Sequence, residues 1–374
     1  MTRKRFLLLL LVALLSTFSF SGCGGDESNT TSQVNSVESS HGLTGDLKVT
    51  FLDVGQGDSI FLELPNRQTM LIDAGNPDDA VYVSQYIRTA GYKKIDYVVA
   101  THPHDDHIGG MPEIIKDFDI GSIYMPKVSN NTASFENLLA EIEHKGYKIN
   151  TAKAGVSILN DDSLTINIIA PVKSFYDDLN NYSAVIRLDY GSTSYLFMGD
   201  AEKLSENQIK ADVDADVLKV GHHGSNYSSS SSFIKRVSPE YTVISVGQGN
   251  SYGHPSRETL DTLSANQAAI YRTDEQGSII IKSDGSKITS EKAPAVPSIT
   301  PETPNYPDSG ADSIVYITNT GSKYHRDGCQ YLSRSKIPIS LSEAVIHYDP
   351  CTVCDPPIVD SYLTPPEGDN LPAQ

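Results

Sequence analysis

Between Thr101 and Gly110 the chain reads T-H-P-H-D-D-H-I-G-G, which places His102, His104, Asp106 and His107 within six residues. Imidazoles and carboxylates at this density are ligands for divalent cations. Pro103 holds His102 extended, so His102 and His104 point the same way, while Asp106 and His107 turn towards a second position. The segment therefore reads as a two-metal site. The apolar run 95–100 before it reads as a buried parallel strand, and a helical stretch begins near Gly109. Loops leaving the carboxyl ends of strands are where open α/β sheets place their chemistry. The competing interpretation, a solvated polar loop, sits poorly with three His and two Asp directly after such a strand.

Further candidates follow apolar strands in the second half. Asp200 ends Y-L-F-M-G-D, and His222 and His223 follow V-L-K-V-G. A carboxylate at the end of a buried strand can bridge two cations, one oxygen to each, with the ionic charge offsetting its burial. Alone, Asp200 would read as a helix N-cap before Ala201-Glu202-Lys203; beside the histidine cluster it reads as a ligand.

Hydrophobic periodicity outlines the elements that must position these groups. Short strands are expected at 48–53, 59–64 and 69–73, and helices at 79–90, 111–118 and 134–144. The second half repeats the alternation, with strands at 164–170, 184–189, 194–198 and 216–220 and a helix after Ala201. It ends with helix 229–237, strand 241–246, helix 257–265 and strands 269–272 and 278–281. Two β-plus-α halves facing each other predict a four-layer αββα sandwich with the site at one edge.

A chain of 374 residues holds one large domain and a small one. Arg3, Lys4 and Arg5 precede the apolar run 6–15, too short to be a comfortable membrane span, and Ser21 and Gly22 lead to Cys23. Residues 1–22 are thus expected to be a signal peptide of the lipoprotein type, with Cys23 acylated. The protein would then sit on the extracellular face of a bacterial membrane, or be secreted if Cys23 carries no lipid. Residues 23–45, rich in Gly, Ser, Asn and Thr, suit a flexible tether; the hydrolase domain would span 46–291. Losing residues 1–22 removes three bases and no acid, moving the net charge from -18 to -21. Such acidity argues against a basic groove for nucleic acid. It leaves room for a nuclease whose metals supply local positive charge.

Asp73 in L-I-D-A-G, H-x-H-x-D-H at 102–107, Asp200 in G-D and His222 in G-H-H-G-S together resemble the metallo-β-lactamase fold. Within it, F-L-D-V-G-Q-G-D-S at 51–59, N-N-Y-S-A-V-I-R-L at 180–188 and Y-G-H-P at 252–255 resemble the extracellular domain of the ComEC competence proteins. The resemblance implies two divalent ions, Zn or Mn. His102, His104 and Asp200 would hold one, and Asp106, His107, Asp200 and His222 the other. The third His of the wider superfamily is missing. Asn181-Tyr182-Ser183 stands in its place, as in ComEC-like domains, leaving the first site a protein ligand short. A hydroxide shared by the two ions would be the nucleophile at a phosphoryl centre. Asp73 would orient a ligand, with a strand-end turn as its alternative role. Catalytic assignments fall on Asp73, Asp106, His223 and His254, and substrate contacts on Asn181, Ser183, Ser225, Tyr252 and His254. Asp53 and Asp58, around Gly55 and Gly57, are explained by turn geometry alone.

Residues 292–312 form a Pro-rich linker, 313–358 a small module and 359–374 a flexible tail. The module carries His325, Cys329, Cys351 and Cys354 as H-x3-C and C-x2-C, which predicts one structural Zn compensating for a small core. A disulfide with one spare thiol is the rival. Y-H-R-D-G-C-Q-Y-L, S-E-A and P-C-T-V-C-D-P-P resemble the zinc domain of the Ada DNA-repair protein; His325 replacing a thiol puts methyl transfer in doubt. Lys323, Arg326, Arg334 and Lys336 read as a solvated surface rather than a phosphate-contacting face. The expected function is a membrane-tethered, metal-dependent phosphodiesterase or deoxyribonuclease acting on extracellular DNA. Alternatives are a small-molecule phosphodiesterase such as a phosphorylcholine esterase, or a noncatalytic, metal-stabilised surface protein. A β-lactamase is disfavoured by the absent third His. No protein partner is inferred, and without channel-forming segments the chain is not expected to transport DNA by itself.

Overall fold

The structure, a computed structural model, describes residues 45–295, 314–318, 321–327, 329–333, 335–354 and 356–357. The expected signal, Cys23, the tether before residue 45, most of the linker and the tail lie outside the described residues. Strands β1 (Leu47–Phe51), β2 (Ile60–Glu63), β3 (Thr69–Ile72), β4 (Lys94–Val99), β5 (Asp119–Met125) and β6 (Ile149–Thr151) come first. Then follow β7 (Val156–Asn160), β8 (Leu164–Ala170), β9 (Val185–Tyr190), β10 (Thr193–Phe197), β11 (Val217–Lys219), β12 (Tyr241–Ile244) and β13 (Ala269–Arg272), with β14 (Ile279–Ser283) and β15 (Ile288–Ser290) closing the domain. One sheet runs β15-β14-β1-β2-β3-β4-β5-β6 and the other β13-β12-β11-β10-β9-β8-β7.

Alternation along the strands decides the layers. In β2, Ile60 and Leu62 face the opposite sheet, where Phe51 meets Phe197 with ring centroids 6.2 Å apart. Phe61 faces the other way, onto a layer built with Val83 and Ile87 of helix Ala80–Thr89 and Leu138 of helix Ala133–His144. On the far side, Leu196, Leu218 and Ile244 pack under Phe233, Ile234 and Leu263 of helices Ser231–Val237 and Arg257–Ala265. Helix, sheet, sheet, helix is the αββα sandwich the periodicity implied.

Four strands escaped that periodicity. β6 is exposed at every residue, β15 is a short edge strand, β7 pairs with β8 through an irregular register, and β5 carries Gly121 in its first half, which weakens its apolar pattern. The helix expected at 111–118 is Met111–Asp117, and a further short helix, Asp105–Ile108, precedes it. That short helix carries Asp106 and His107.

The C-terminal module forms its own sheet, β18-β16-β17-β19, from β16 (Ile314–Ile317), β17 (Lys323–His325), β18 (Ile337–Ser340) and β19 (Asp349–Pro350). Its core is only Val315, Ile317, Tyr324, Leu341 and Ala344. Beside it, Cys329, Cys351 and Cys354 are free thiols, so the disulfide is not formed. His325 Nδ1 lies 3.3 Å from Cys329 Sγ and 3.9 Å from Cys354 Sγ, and one donor atom from each of the four residues falls within 4.8 Å of the others. Tetrahedral zinc with bonds of about 2.3 Å spaces its thiolates by about 3.8 Å, so the cluster fits a structural zinc.

Two outcomes are expected. Phe197→Ala removes the ring pair between the sheets and lowers unfolding free energy by about 3–5 kcal/mol in urea titration. Cys351→Ser lowers the zinc content of the full chain by one ion, read by native mass spectrometry.

Candidate metal centre

Strands β3, β4 and β5 are parallel, as are β10, β11, β12 and β13. Asp73 follows β3, residues 101–107 follow β4, Asp200 closely follows β10, His222 and His223 follow β11, and the His254 loop follows β12. Sharp turns aim these side chains. Asp73, His222 and His223 are left-handed, with φ of 58°, 50° and 51°. Such conformations cost about 1–3 kcal/mol each in non-glycine residues and persist where surrounding contacts fix them. Gly57 makes room: a Cβ there would collide with the Asp106 carbonyl, which instead accepts the Asp58 amide at 3.1 Å.

The buried imidazoles of His102, His107 and His223 are held from their outer nitrogens. His107 Nδ1 lies 2.8 Å from Asp73 Oδ2, and Asp73 is itself fixed by the Thr101 amide at 2.8 Å and hydroxyl at 2.6 Å. His223 Nδ1 donates to the Ser245 carbonyl at 3.0 Å. His102 Nδ1 lies 3.1 Å from Thr101 Oγ1 and 3.4 Å from Ser183 Oγ, while Ser183 Oγ also accepts the Asp200 amide at 3.0 Å. His222 Nδ1 faces Glu202 Oε1 at 3.6 Å.

The inner nitrogens converge on Asp200. Its Oδ1 is 3.3 Å from His107 Nε2, and its Oδ2 is 3.5, 3.7 and 3.8 Å from the Nε2 atoms of His223, His222 and His102. His104 Nδ1 lies 3.0 Å from His102 Nε2, and Asp106 Oδ2 is 3.4 Å from His223 Nε2 and 3.8 Å from His107 Nε2. With Nδ1 bound to Asp73, His107 Nε2 is turned towards the Asp200 carboxylate. His107 Nε2, His223 Nε2 and Asp200 Oδ1 are buried without a well-formed hydrogen bond. A cation between them satisfies all three, so the donor set fits divalent metal.

The electrostatics tell the same story. Burial opposes charge on His107, yet Asp200, Asp106 and Asp73 push its imidazole well above the ordinary value. Burial also opposes charge on Asp200, yet His107, His223 and His222 hold its carboxyl well below the usual range. A proton on His107 thus does in the metal-free protein what a cation would do. Burial, with His107 and His104 nearby, pulls His102 well below its ordinary value, and burial beside His222 and His223 brings His254 down to about 3.

Donor atoms within 4.8 Å of one another form three groupings among the described residues of the centre: His102, His107 and Asp200; Asp106, His107 and His223; and Asp58, Asp73 and His107. His223 Nε2 lies beside Asp106, its Nδ1 bonded to the Ser245 carbonyl, and His222 lies between Asp200, Glu202 and His254. His254 stacks between His223 and the half-exposed Tyr252 ring. Three residues expected at the substrate are committed inside the protein. Asn181 donates to Glu202 at 2.9 Å and accepts the Ser205 amide, Ser183 braces His102 and Asp200, and Ser225 Oγ accepts the Tyr227 amide at 3.2 Å. In the structure all three hydrogen-bond to neighbouring residues of the protein.

Two residues, Lys219 and Glu202, went unnoticed in the sequence, and Asp58 was read only as part of a turn. Lys219, fully buried, pairs with Asp58 at 2.8 Å, and Asp58 Oδ1 lies 3.4 Å from His223 Nδ1. Asp58 therefore does more than turn the chain. Glu202 faces His222 and gathers Asn180 and Asn181. The available signal was a lone lysine inside an otherwise apolar strand and a second acid two residues after Asp200.

Asp73→Asn keeps the shape but takes the anionic acceptor from His107. Metal affinity is expected to fall about 10–100-fold in competition with a chelating dye, with the fold intact by circular dichroism.

Residues 52–248 match the family model of the metallo-beta-lactamase superfamily. Over 259 residues the chain is 30% identical to ComE operon protein 3 of Bacillus subtilis strain 168, covering 63% of this chain and 33% of that protein. It is 29% identical to competence protein ComA of Neisseria gonorrhoeae, covering 62% and 31%, and 27% identical to recombination protein 2 of Haemophilus influenzae, covering 62% and 28%. The chain thus spans about a third of the length of these relatives. With the αββα sandwich and the convergent His/Asp centre beside a match over more than half its length, the chain belongs to the metallo-beta-lactamase superfamily of metal-dependent hydrolases.

Proposed function

We propose that the protein is a phosphodiesterase whose substrate is DNA, held by a lipid on Cys23 at the outer face of a bacterial membrane. The observation that carries the chemistry is the burial of Asp200 among four imidazoles with His107 Nε2 and His223 Nε2 unpartnered. Divalent ions, when bound, supply a water of lowered pKa and positive charge against the phosphoryl oxygens. His102, His104, Asp106, His107, Asp200, His222 and His223 are the residues that would hold them. The protein's own contribution is orientation. Asp73, Ser183, Ser245 and Glu202 fix the imidazole planes, and Lys219 neutralises Asp58 behind His223.

Accessibility is confined to one side: the Asp106 side chain is 30% exposed, whereas His102 and His107 are fully buried. Substrate would arrive over Asp106 and His104, where His254 and Tyr252 offer a neutral imidazole and a phenol. DNA is favoured as substrate by the similarity to two competence proteins and a recombination protein. The net charge of -18 requires that attraction of a polyanion be local, at the metals, rather than spread over a basic face.

The test uses the full chain with Cys23→Ala, loaded with Zn or Mn. Cleavage of single- and double-stranded DNA and turnover of bis(p-nitrophenyl) phosphate are compared with His107→Ala and Asp200→Ala. Metal-dependent cleavage of DNA, lowered at least 100-fold in both variants, is the expected result. Reporter turnover without DNA cleavage would move the substrate to a small phosphodiester, and metal binding without any turnover would overturn the hydrolase.

A further inference from the structure

The C-terminal module does not stand apart from the metal centre. Thr352 Oγ1 donates to Asp178 Oδ2 at 2.8 Å, and Asp178 caps the turn Leu179–Tyr182 that leads into Ser183. On the opposite side, Arg326 Nη1 donates to the Ser251 carbonyl at 3.0 Å, next to Tyr252. The module is thereby pinned to two loops that flank the centre. Between the module and the domain lies a cleft of about 470 Å³, within the range of roughly 300–1,000 Å³ usual for small-ligand sites. His104 and Asp177 stand on its domain side, with Lys323, Tyr331 and Val353 on its module side. His104 contacts His102 at 3.0 Å, so the cleft opens directly off the metal centre.

The lining has a definite chemistry. Tyr331 is 54% exposed, and its ring sits 5.9 Å from that of His325, a residue of the module's Cys/His cluster that also borders the cleft. Lys323 Nζ rests 3.3 Å from the Thr352 hydroxyl and forms no ion pair with a carboxylate among the described residues. Asp177 offers an acceptor on the facing wall. An aromatic face, one ammonium and one acceptor in a space of this size match a nucleoside unit with a single phosphate. A second phosphate on the same nucleoside would meet the carboxylates of Asp177 and Asp178.

We infer that this cleft seats the nucleotide adjoining the phosphodiester bond at the metal centre, its base against Tyr331 and its outer phosphate at Lys323. The inference rests on the nucleic-acid reading above. It makes the module a wall of the substrate site, with His325, Cys329, Cys351 and Cys354 fixing that wall. Stacking of one base on an aromatic ring is worth about 1–3 kcal/mol.

The experiment measures kcat and KM of the metal-loaded full chain on a single-stranded decanucleotide and on bis(p-nitrophenyl) phosphate, which carries neither a nucleobase nor a second phosphate. Tyr331→Ala and Lys323→Ala should each lower the oligonucleotide-to-reporter ratio of kcat/KM about tenfold, mainly through KM. Tyr331→Phe, which keeps the ring, should restore it. Lys116→Ala, an exposed residue on helix Met111–Asp117 paired with Glu113, controls for loss of one positive charge and should leave the ratio unchanged. A parent that cleaves both substrates, with an unaltered ratio in Tyr331→Ala and Lys323→Ala, overturns the cleft alone. A parent that turns over the reporter and no oligonucleotide overturns the nucleic-acid reading and the cleft with it. A fall in oligonucleotide and reporter turnover by the same factor marks a structural role for Tyr331 and also overturns the proposal.

Discussion

A carboxylate removed from water governs this structure. Asp200 is 2% exposed and lies within 4 Å of four imidazoles. An unpaired charge in such a place costs several kcal/mol even after relaxation. The surrounding residues are arranged so that the cost is offset by cations. Ser183 fixes the Asp200 backbone, and the outer nitrogens of His102, His107 and His223 are engaged so that their inner nitrogens face the carboxylate.

This need for orientation explains the outer ring of contacts. Asp73 is held by two donors from Thr101, so it aligns His107 without being drawn into the centre. The buried Lys219–Asp58 pair supports His223 from behind. Removing one member of such a pair costs about 3–5 kcal/mol because the other charge is left stranded. Left-handed backbone at Asp73, His222 and His223 brings the side chains inward at the strand ends. Two other loops, carrying Asp178 and Ser251, serve as docking points for the C-terminal module.

Much of this was legible in the amino-acid order. Alternating Leu164, Ile166 and Ile168 in β8 report which face meets the opposite sheet, and the unbroken apolar run Ile60-Phe61-Leu62 in β2 reports burial on both faces; such periods are local properties. The αββα layering and the H-x-H-x-D-H loop follow from such local signals. β6 left no trace, since an edge strand exposed at all three residues has no apolar face to show. Glu202 and Asn181 were misread for another reason. Their partners are each other and His222, residues about twenty positions apart, so no local pattern reveals that Asn181 is spoken for.

By itself the sequence determined the chemistry at hand: which residues can hold divalent ions, that they follow buried strands, and that a second Cys/His cluster lies beyond the linker. Only the tertiary structure decided which imidazole nitrogen faces inward. His222 and His223 are adjacent in sequence and chemically identical, and the Ser245 carbonyl, contributed by the neighbouring strand's end, directs His223 towards Asp106. Likewise, only the fold brings Tyr331 and Lys323 across from His104. Ligand type is a property of single residues, whereas ligand direction depends on hydrogen bonds between segments that meet only once the two sheets have packed.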